Sequence, residues 1–206
     1  MSANIIELAN TGLEELKRGK VKYFDWRIRR EIYKILNAKA VSTSSPQHKH
    51  LAIQSAEFVM PLFTLVNEDD PLAFKLLECA KALAENHVMN IKELDEIQEN
   101  GYYNQWFGYN YETKQRNFQS AYAGASTYRA LIEVRYMIDP WEGTRPLANT
   151  MDDNWVLGPF GDTAVVASFA YSTSPASDEC QPNLLYEFWE WWVKVALPNS
   201  LKIKSA

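Results

Sequence analysis

Phe188-Trp189-Glu190-Trp191-Trp192, closed by Val195-Ala196-Leu197-Pro198, is the stretch whose reading decides the fold. Set at about 100° per residue, Leu184, Leu185, Phe188, Trp189, Trp191, Trp192, Val195 and Ala196 share one arc of about 160°, with Tyr186, Glu187, Glu190 and Lys194 opposite. A stripe of aromatic rings that wide predicts a helix from Pro182 to Leu197 anchored in a core. The same geometry sends Glu187 and Glu190, the most conspicuous carboxylate pair, to the outer side. There Glu190 meets Lys194 one turn on, an ordinary surface pair.

Working outward from that helix, a chain of 206 residues with 47% hydrophobic content can bury one large core, and one domain over residues 1–206 is expected. Eight glycines and nine prolines are few for a fold built on many tight turns. The first residues, Met1 to Asn10, hold no basic cluster and place Glu7 among apolar residues, which reads as a helix rather than a signal peptide. No apolar run approaches the ~18 to 20 residues that span a bilayer. The two cysteines, Cys79 and Cys180, lack metal-type spacing and are too few for a disulfide framework, so a reducing cytoplasm is the expected setting.

Periodicity predicts helices along most of the chain. Ser2 to Arg18 carries Ile5, Ile6, Leu8, Ala9, Leu13 and Leu16 at helical spacing, with Gly12 a weak point and Gly19 a stop. Tyr23 to Ala38 aligns Phe24, Ile28, Ile32, Ile35 and Leu36, leaving Arg27, Arg29, Arg30 and Lys34 as a solvated basic face. Pro46 opens a third helix with Ala52, Ala56, Val59, Phe63 and Val66 as its stripe, and Pro61 predicts a kink inside it. Asp69-Asp70-Pro71 caps a fourth, through Ala73, Leu76, Leu77, Ala80, Leu83, Ala84 and His87, antiparallel to the third. Asn90 caps a shorter helix to Glu99. A long helix from Thr113 to Ile138 is small at its centre (Ala121, Ala123, Gly124, Ala125, Ser126), and Asp162 caps another small-residue helix, or a strand, through Ala164, Ala167 and Ser168. Two small surfaces allow close axis-to-axis packing. The reading is all-α: a single-domain bundle of about seven to eight helices with two irregular connections, Gly101 to Tyr111 and Asp139 to Gly161.

Chemical motifs are mostly absent. Glu-x-x-His pairs and a His-Glu-x-x-His run are missing, and His48 and His50, two apart, point to different sides of a helix, so no metal and no cofactor is expected. His87 reads as a core or boundary histidine. Glycine-rich phosphate loops and a serine elbow are lacking, Cys79 sits on an apolar face, and Asp178 and Glu179 beside Cys180 disfavour its thiolate. Glu57, Arg129 and Arg135 lie on core-forming helices, where they either join a buried ionic network or reach solvent along helix edges.

Charge is distributed unevenly along the chain, whose net charge is -5. Residues 1–40 hold nine Lys or Arg against five Asp or Glu, and residues 57–112 hold three against eleven. An acidic middle disfavours nucleic acid and membrane surfaces and suits a basic partner. Glu93, Asp95, Glu96 and Glu99 run into Tyr102, Tyr103 and Trp106, and aromatic residues of this kind are enriched at interface hot spots. These seven residues are the candidate partner-binding surface. The same rings can instead cover the open end of the bundle.

Two segments carry a family resemblance. Ser55-Ala56-Glu57-Phe58-Val59-Met60-Pro61-Leu62-Phe63, followed by Asp69-Asp70-Pro71 and Ala73, resembles the all-helical immunity proteins of bacterial polymorphic toxin systems, the immunity-five-like group. The helix around Ala121 to Ala125 and the closing Phe188 to Pro198 segment are similar too, and together they span about half the chain. The Tyr102 to Tyr111 and Asp139 to Gly161 segments depart from that pattern. The resemblance implies a non-enzymatic cytoplasmic protein that binds and neutralises a toxin domain, a partner whose basic character the acidic surface suggests. Two alternatives remain. One is an enzyme using Arg145, Asp152 and Asp153 on a small anionic or metal-bound substrate; the other is an oligomeric scaffold, the oligomeric state being undetermined by sequence.

Overall fold

A computed structural model describes residues 2–19, 24–38, 44–65, 70–104, 118–135, 162–172 and 181–203. Among them are eight helices and no strand, in agreement with the all-α expectation. They are α1 (Ser2–Lys17), α2 (Trp26–Leu36), α3 (Pro46–Thr64), α4 (Leu72–Ala84), α5 (Ile91–Gly101), α6 (Phe118–Arg135), α7 (Thr163–Ser172) and α8, which begins as Pro182–Trp191. The last continues as a π-helical turn, Trp192–Ala196, and ends as Leu197–Leu201. Buried side chains from all eight form one connected apolar cluster.

Local chemistry accounts for most helix ends. Asp25, Ser45 and Asn90 accept hydrogen bonds from first-turn amides of α2, α3 and α5, and Asp70 accepts from the Leu72 amide at 2.9 Å. Gly19 ends α1 in the left-handed region, φ 65°. Asn86 does the same for α4 at φ 61°. Its N–H bonds to Leu83 O at 3.1 Å and the His87 N–H to Ala82 O at 2.9 Å, the paired bonds of a Schellman motif. His87 therefore lies beyond the helix and is exposed, contrary to its predicted place on the apolar face. Pro61 does not end α3, which runs on to Thr64 with the proline exposed.

α6 is the central element. It packs against α3, α4 and α7, and is buried nearly all round from Ser120 to Val134. A helix so enclosed needs small side chains on several faces; Ala121, Ala123, Gly124, Ala125 and Ser126 supply them, and α7, which packs against it, also carries small buried residues at Ala164, Ala167 and Ser168. Buried hydroxyls on these two helices bond back to their own backbone: Ser126 to Ala123 O, Thr127 to Gly124 O and Ser168 to Val165 O. Two glycines permit other close approaches. A Cβ on Gly12 would lie 2.9 Å from Phe24, and one on Gly101 2.7 Å from Leu76. Gly12 is thus a contact point rather than a weakness, and Gly101 lets α5 close over α4.

The aromatic stripe of α8 is buried as predicted through Leu185, Phe188, Trp189 and Trp192. Phe24 stacks on Trp189 at 4.6 Å between centroids, and Phe58 on Trp191 at 4.0 Å. After Trp192 the expected arc keeps Ala196, which is buried, but loses Val195. Val195 is 45% exposed, whereas Val193 and Leu197 are buried. A π turn takes more residues per revolution than an α turn, so the inward face drops Val195, keeps Ala196 and takes in Val193, Leu197 and Ser200. Because Trp189 has almost no exposed surface, Trp189→Ala is expected to cost about 3 to 5 kcal/mol in urea unfolding.

Candidate functional site

The residues with most chemistry in them gather where α2, α3, α6 and α7 meet, and all are buried. Arg29 of α2, 0% exposed, donates from Nε to Asp162 Oδ2 at 2.8 Å and from a terminal nitrogen to the Phe24 carbonyl. Its guanidinium also lies over the Trp189 ring at 5.4 Å. Asp162 uses its other oxygen to accept the Val165 amide at 3.0 Å, capping α7 as predicted. On α3, His48 stands between Asn37, 2.8 Å from Nδ1, and Glu133, 3.1 Å from Nε2. Glu133 completes the junction by accepting the Thr163 amide at 2.6 Å and the Thr163 hydroxyl at 2.7 Å.

Electrostatics inside this junction are matched rather than left open. Burial pushes the Glu133 carboxyl upward, but the His48 hydrogen bond, the Arg129 charge and the Thr163 hydroxyl together hold it below the ordinary carboxylate value. Tyr33 stacks on His48 at 4.5 Å, and burial, with Asp162 and Glu133 nearby, raises its phenol well above the usual range. It remains a protonated, neutral phenol. Arg29, Asp162, Thr163, His48, Glu133 and Tyr33 are each at most 6% exposed, so these groups act together as a buried structural clamp.

One expectation is corrected here and one open alternative is resolved. Arg29, assigned to a solvated face, is the most deeply buried cation among the described residues; Arg29, Ile32, Tyr33 and Leu36 form the true inward stripe at i, i+3, i+4 and i+7. Glu57, Arg129 and Arg135 do not share one network. Exposed Glu57 pairs with Lys81 at 2.6 Å. Arg135 reaches Asp95 at 2.5 Å and Gln98 at 2.6 Å, and Arg129 acts on Glu133.

Of the predicted partner-binding residues, Glu93, Asp95, Glu96, Glu99, Tyr102 and Tyr103 lie together on α5 and the turn that follows, and all are exposed. Trp106 lies outside the described residues. Leu94 and Gly101 face inward, so the carboxylates stand on the outer side of an amphipathic helix beside Ile91, 70% exposed, and Val88, fully exposed. Tyr102 packs against Tyr103 and Tyr128, which joins the aromatic pair to the bundle without hiding it. Arg135, donating to Asp95 and Gln98, braces this face from α6.

Other expected sites resolve simply. His48 and His50 diverge, the second toward Ser200 and Gln54, and no metal-holding group of three His, Cys, Asp or Glu occurs among the described residues. Burial, followed by the charges of Glu78 and Glu93, raises the Cys79 thiol, consistent with packing rather than nucleophilic use. Glu190 meets Lys194 at 2.5 Å on the outer side of α8. Arg145, Asp152, Asp153 and Cys180 lie outside the described residues. Among the described residues no helix is long and apolar enough to cross a membrane.

The chain belongs to the family Immunity protein Imm5, whose family profile matches residues 9–199, from α1 into the last turns of α8. No curated protein matches it.

Two tests address the clamp. Arg29→Met leaves Asp162 buried without its partner and is expected to lower stability by about 3 to 5 kcal/mol, read by urea unfolding at neutral pH. Glu133 has a depressed folded pKa, so its contribution is present above the unfolded carboxylate pKa of about 4.3 and is lost as pH falls through the lower folded value. Glu133→Gln should therefore be less stable than the wild type near neutrality, and the gap should narrow on acidification below about pH 4.

Proposed function

We propose that the protein neutralises a toxin domain by binding it in the cytoplasm, as a stoichiometric partner and without catalysis. The observation that carries this reading is membership of the Imm5 immunity family over residues 9–199. The proposed contact is the outer face of α5 and the adjoining turn, formed by Glu93, Asp95, Glu96, Glu99, Tyr102 and Tyr103, with Trp106 following in sequence. Its support is chemical. Exposed carboxylates flank exposed apolar and aromatic side chains, the mixture that lets a partner combine electrostatic attraction with a desolvated centre. α5 carries one lysine, Lys92, against Glu93, Asp95, Glu96 and Glu99, so a basic toxin surface is the complementary one.

The test is co-expression with the toxin domain encoded beside this chain's gene, read by growth and by affinity of the purified pair. Glu93→Lys/Glu96→Lys/Glu99→Lys leaves the core and the Arg135–Asp95 contact in place. The triple variant should keep its urea midpoint, bind about tenfold or more weakly at low salt, and lose part of its protection. Unchanged affinity would remove α5 as the contact. Failure of the wild-type protein to bind or protect would remove the toxin-neutralising reading itself.

A further inference from the structure

The hydrogen bonds through His48 run in one direction, fixed by atoms whose roles cannot be exchanged. The Ser45 backbone N–H donates to Asn37 Oδ1 at 2.9 Å, and an amide N–H can only donate. Asn37 is thereby oriented with Nδ2 toward His48 Nδ1. Nδ2 is also a donor only, so Nδ1 accepts and carries no proton. The ring proton is then on Nε2, which donates to Glu133 Oε2, while Glu133 Oε1 accepts from Thr163. Turning the Asn37 amide over would set its NH2 against the Ser45 N–H. Turning the imidazole over would present carbon to both partners.

This relay joins two helix ends. Asn37 is the C-cap of α2, and Ser45 is the N-cap of α3, where its hydroxyl accepts the His48 amide at 3.2 Å. We propose that the relay is an acid-sensitive latch on the α2–α3 corner: a proton added at His48 Nδ1 meets the Asn37 NH2 donor to donor and releases the Ser45 N–H, while the His48–Glu133 contact becomes an ion pair. Acid thus opens one end of the relay and tightens the other.

The surrounding charges do not absorb that proton. Tyr33 stacks on the ring from α2 as a neutral phenol, and Arg29 of the same helix is matched by Asp162 at the start of α7. From α6, Arg129 already offsets Glu133. On α3 itself, burial lowers Lys49 from the ordinary lysine value, and His50, lowered chiefly by burial as well, turns away to Ser200 and Gln54. Asp162 is already engaged by Arg29 and Glu133 by Arg129 and Thr163, so a proton added to His48 strengthens its contact with Glu133 but finds no acceptor on the Nδ1 side, where Asn37 presents its NH2.

Nitrogen-15 NMR of the full chain tests the latch. Near pH 7 the wild-type His48 should show a protonated Nε2 and a bare Nδ1. On acidification, the Ser45 amide should lose its hydrogen-bonded shift in step with the change at the His48 Nδ1 signal, and exchange with solvent about tenfold faster than in His48→Gln at the same pH. His48→Gln preserves the relay without titrating, since its carbonyl accepts from Asn37 and its NH2 donates to Glu133. In Asn37→Asp a carboxylate replaces the donor, so both His48 nitrogens should be protonated near pH 7. Any one of three wild-type results overturns the proposal: both nitrogens protonated near pH 7, no second protonation while the fold persists, or protonation that leaves the Ser45 amide unmoved.

Discussion

The Glu133 carboxylate, accepting from His48 on one oxygen and from Thr163 on the other, is the constraint on which the rest of the bundle depends. It sits at the C-terminal end of the central helix and binds the first residue of α7, so the two helices that bracket residues 136–161 are tied to each other at that point. Through His48 it also fixes α3. Asp162, one residue before Thr163, fixes α2 through Arg29. Buried charges stabilise only when every partner is in place together, because an unmatched one loses its hydration without compensation. Four helices therefore reach a single relative register or fail to close over this polar centre.

The aromatic wall of α8 is coupled to that centre rather than merely adjacent to it. Trp189 receives the Arg29 guanidinium on one side and stacks with Phe24, whose carbonyl accepts another Arg29 hydrogen bond. One arginine thus touches the carboxylate that caps α7, the residue that leads into α2 and the indole that seats α8. The π turn at Trp192–Ala196 keeps the later part of α8 in phase with this wall, bringing Leu197 and Ser200 inward. Ser200 and the Ala196 carbonyl then hydrogen-bond Gln54 of α3.

Helix number, caps and the apolar stripes were legible in the chain because each follows from spacing alone: Asp162 before Val165, Asn90 before Glu93, Phe188 and Trp189 before Trp192. Arg29 was misread for a physical reason. An arginine among isoleucines is normally carried outward, and the information that reverses this is Asp162, 133 residues away. A purely local clue existed, since Arg29 shares the i, i+3, i+4, i+7 spacing of Ile32, Tyr33 and Leu36. The π turn left no such clue. It changes the helical period after Trp192, so a constant angular step assigns Val195 and Val193 to the wrong sides. His87 was placed by continuing a period that Asn86 ends with its positive φ.

The distribution of charge separates two physical tasks. Carboxylates in the core are held by fixed donors, and their environment is as specific as the packing around them; those on α5 face water and constrain the fold weakly. A helix anchored mainly by Leu94, with Gly101 allowing close approach, can vary its outer residues without disturbing the junction of α2, α3, α6 and α7. Arg135 links the levels: its backbone ends α6 two residues after Glu133, while its guanidinium steadies Asp95 and Gln98 on α5. The proposed docking face is thus oriented by the same central helix that carries the clamp, yet its charges remain outside the low-dielectric core. Such an arrangement lets recognition change at the surface while the interior keeps one solution to its buried charge balance.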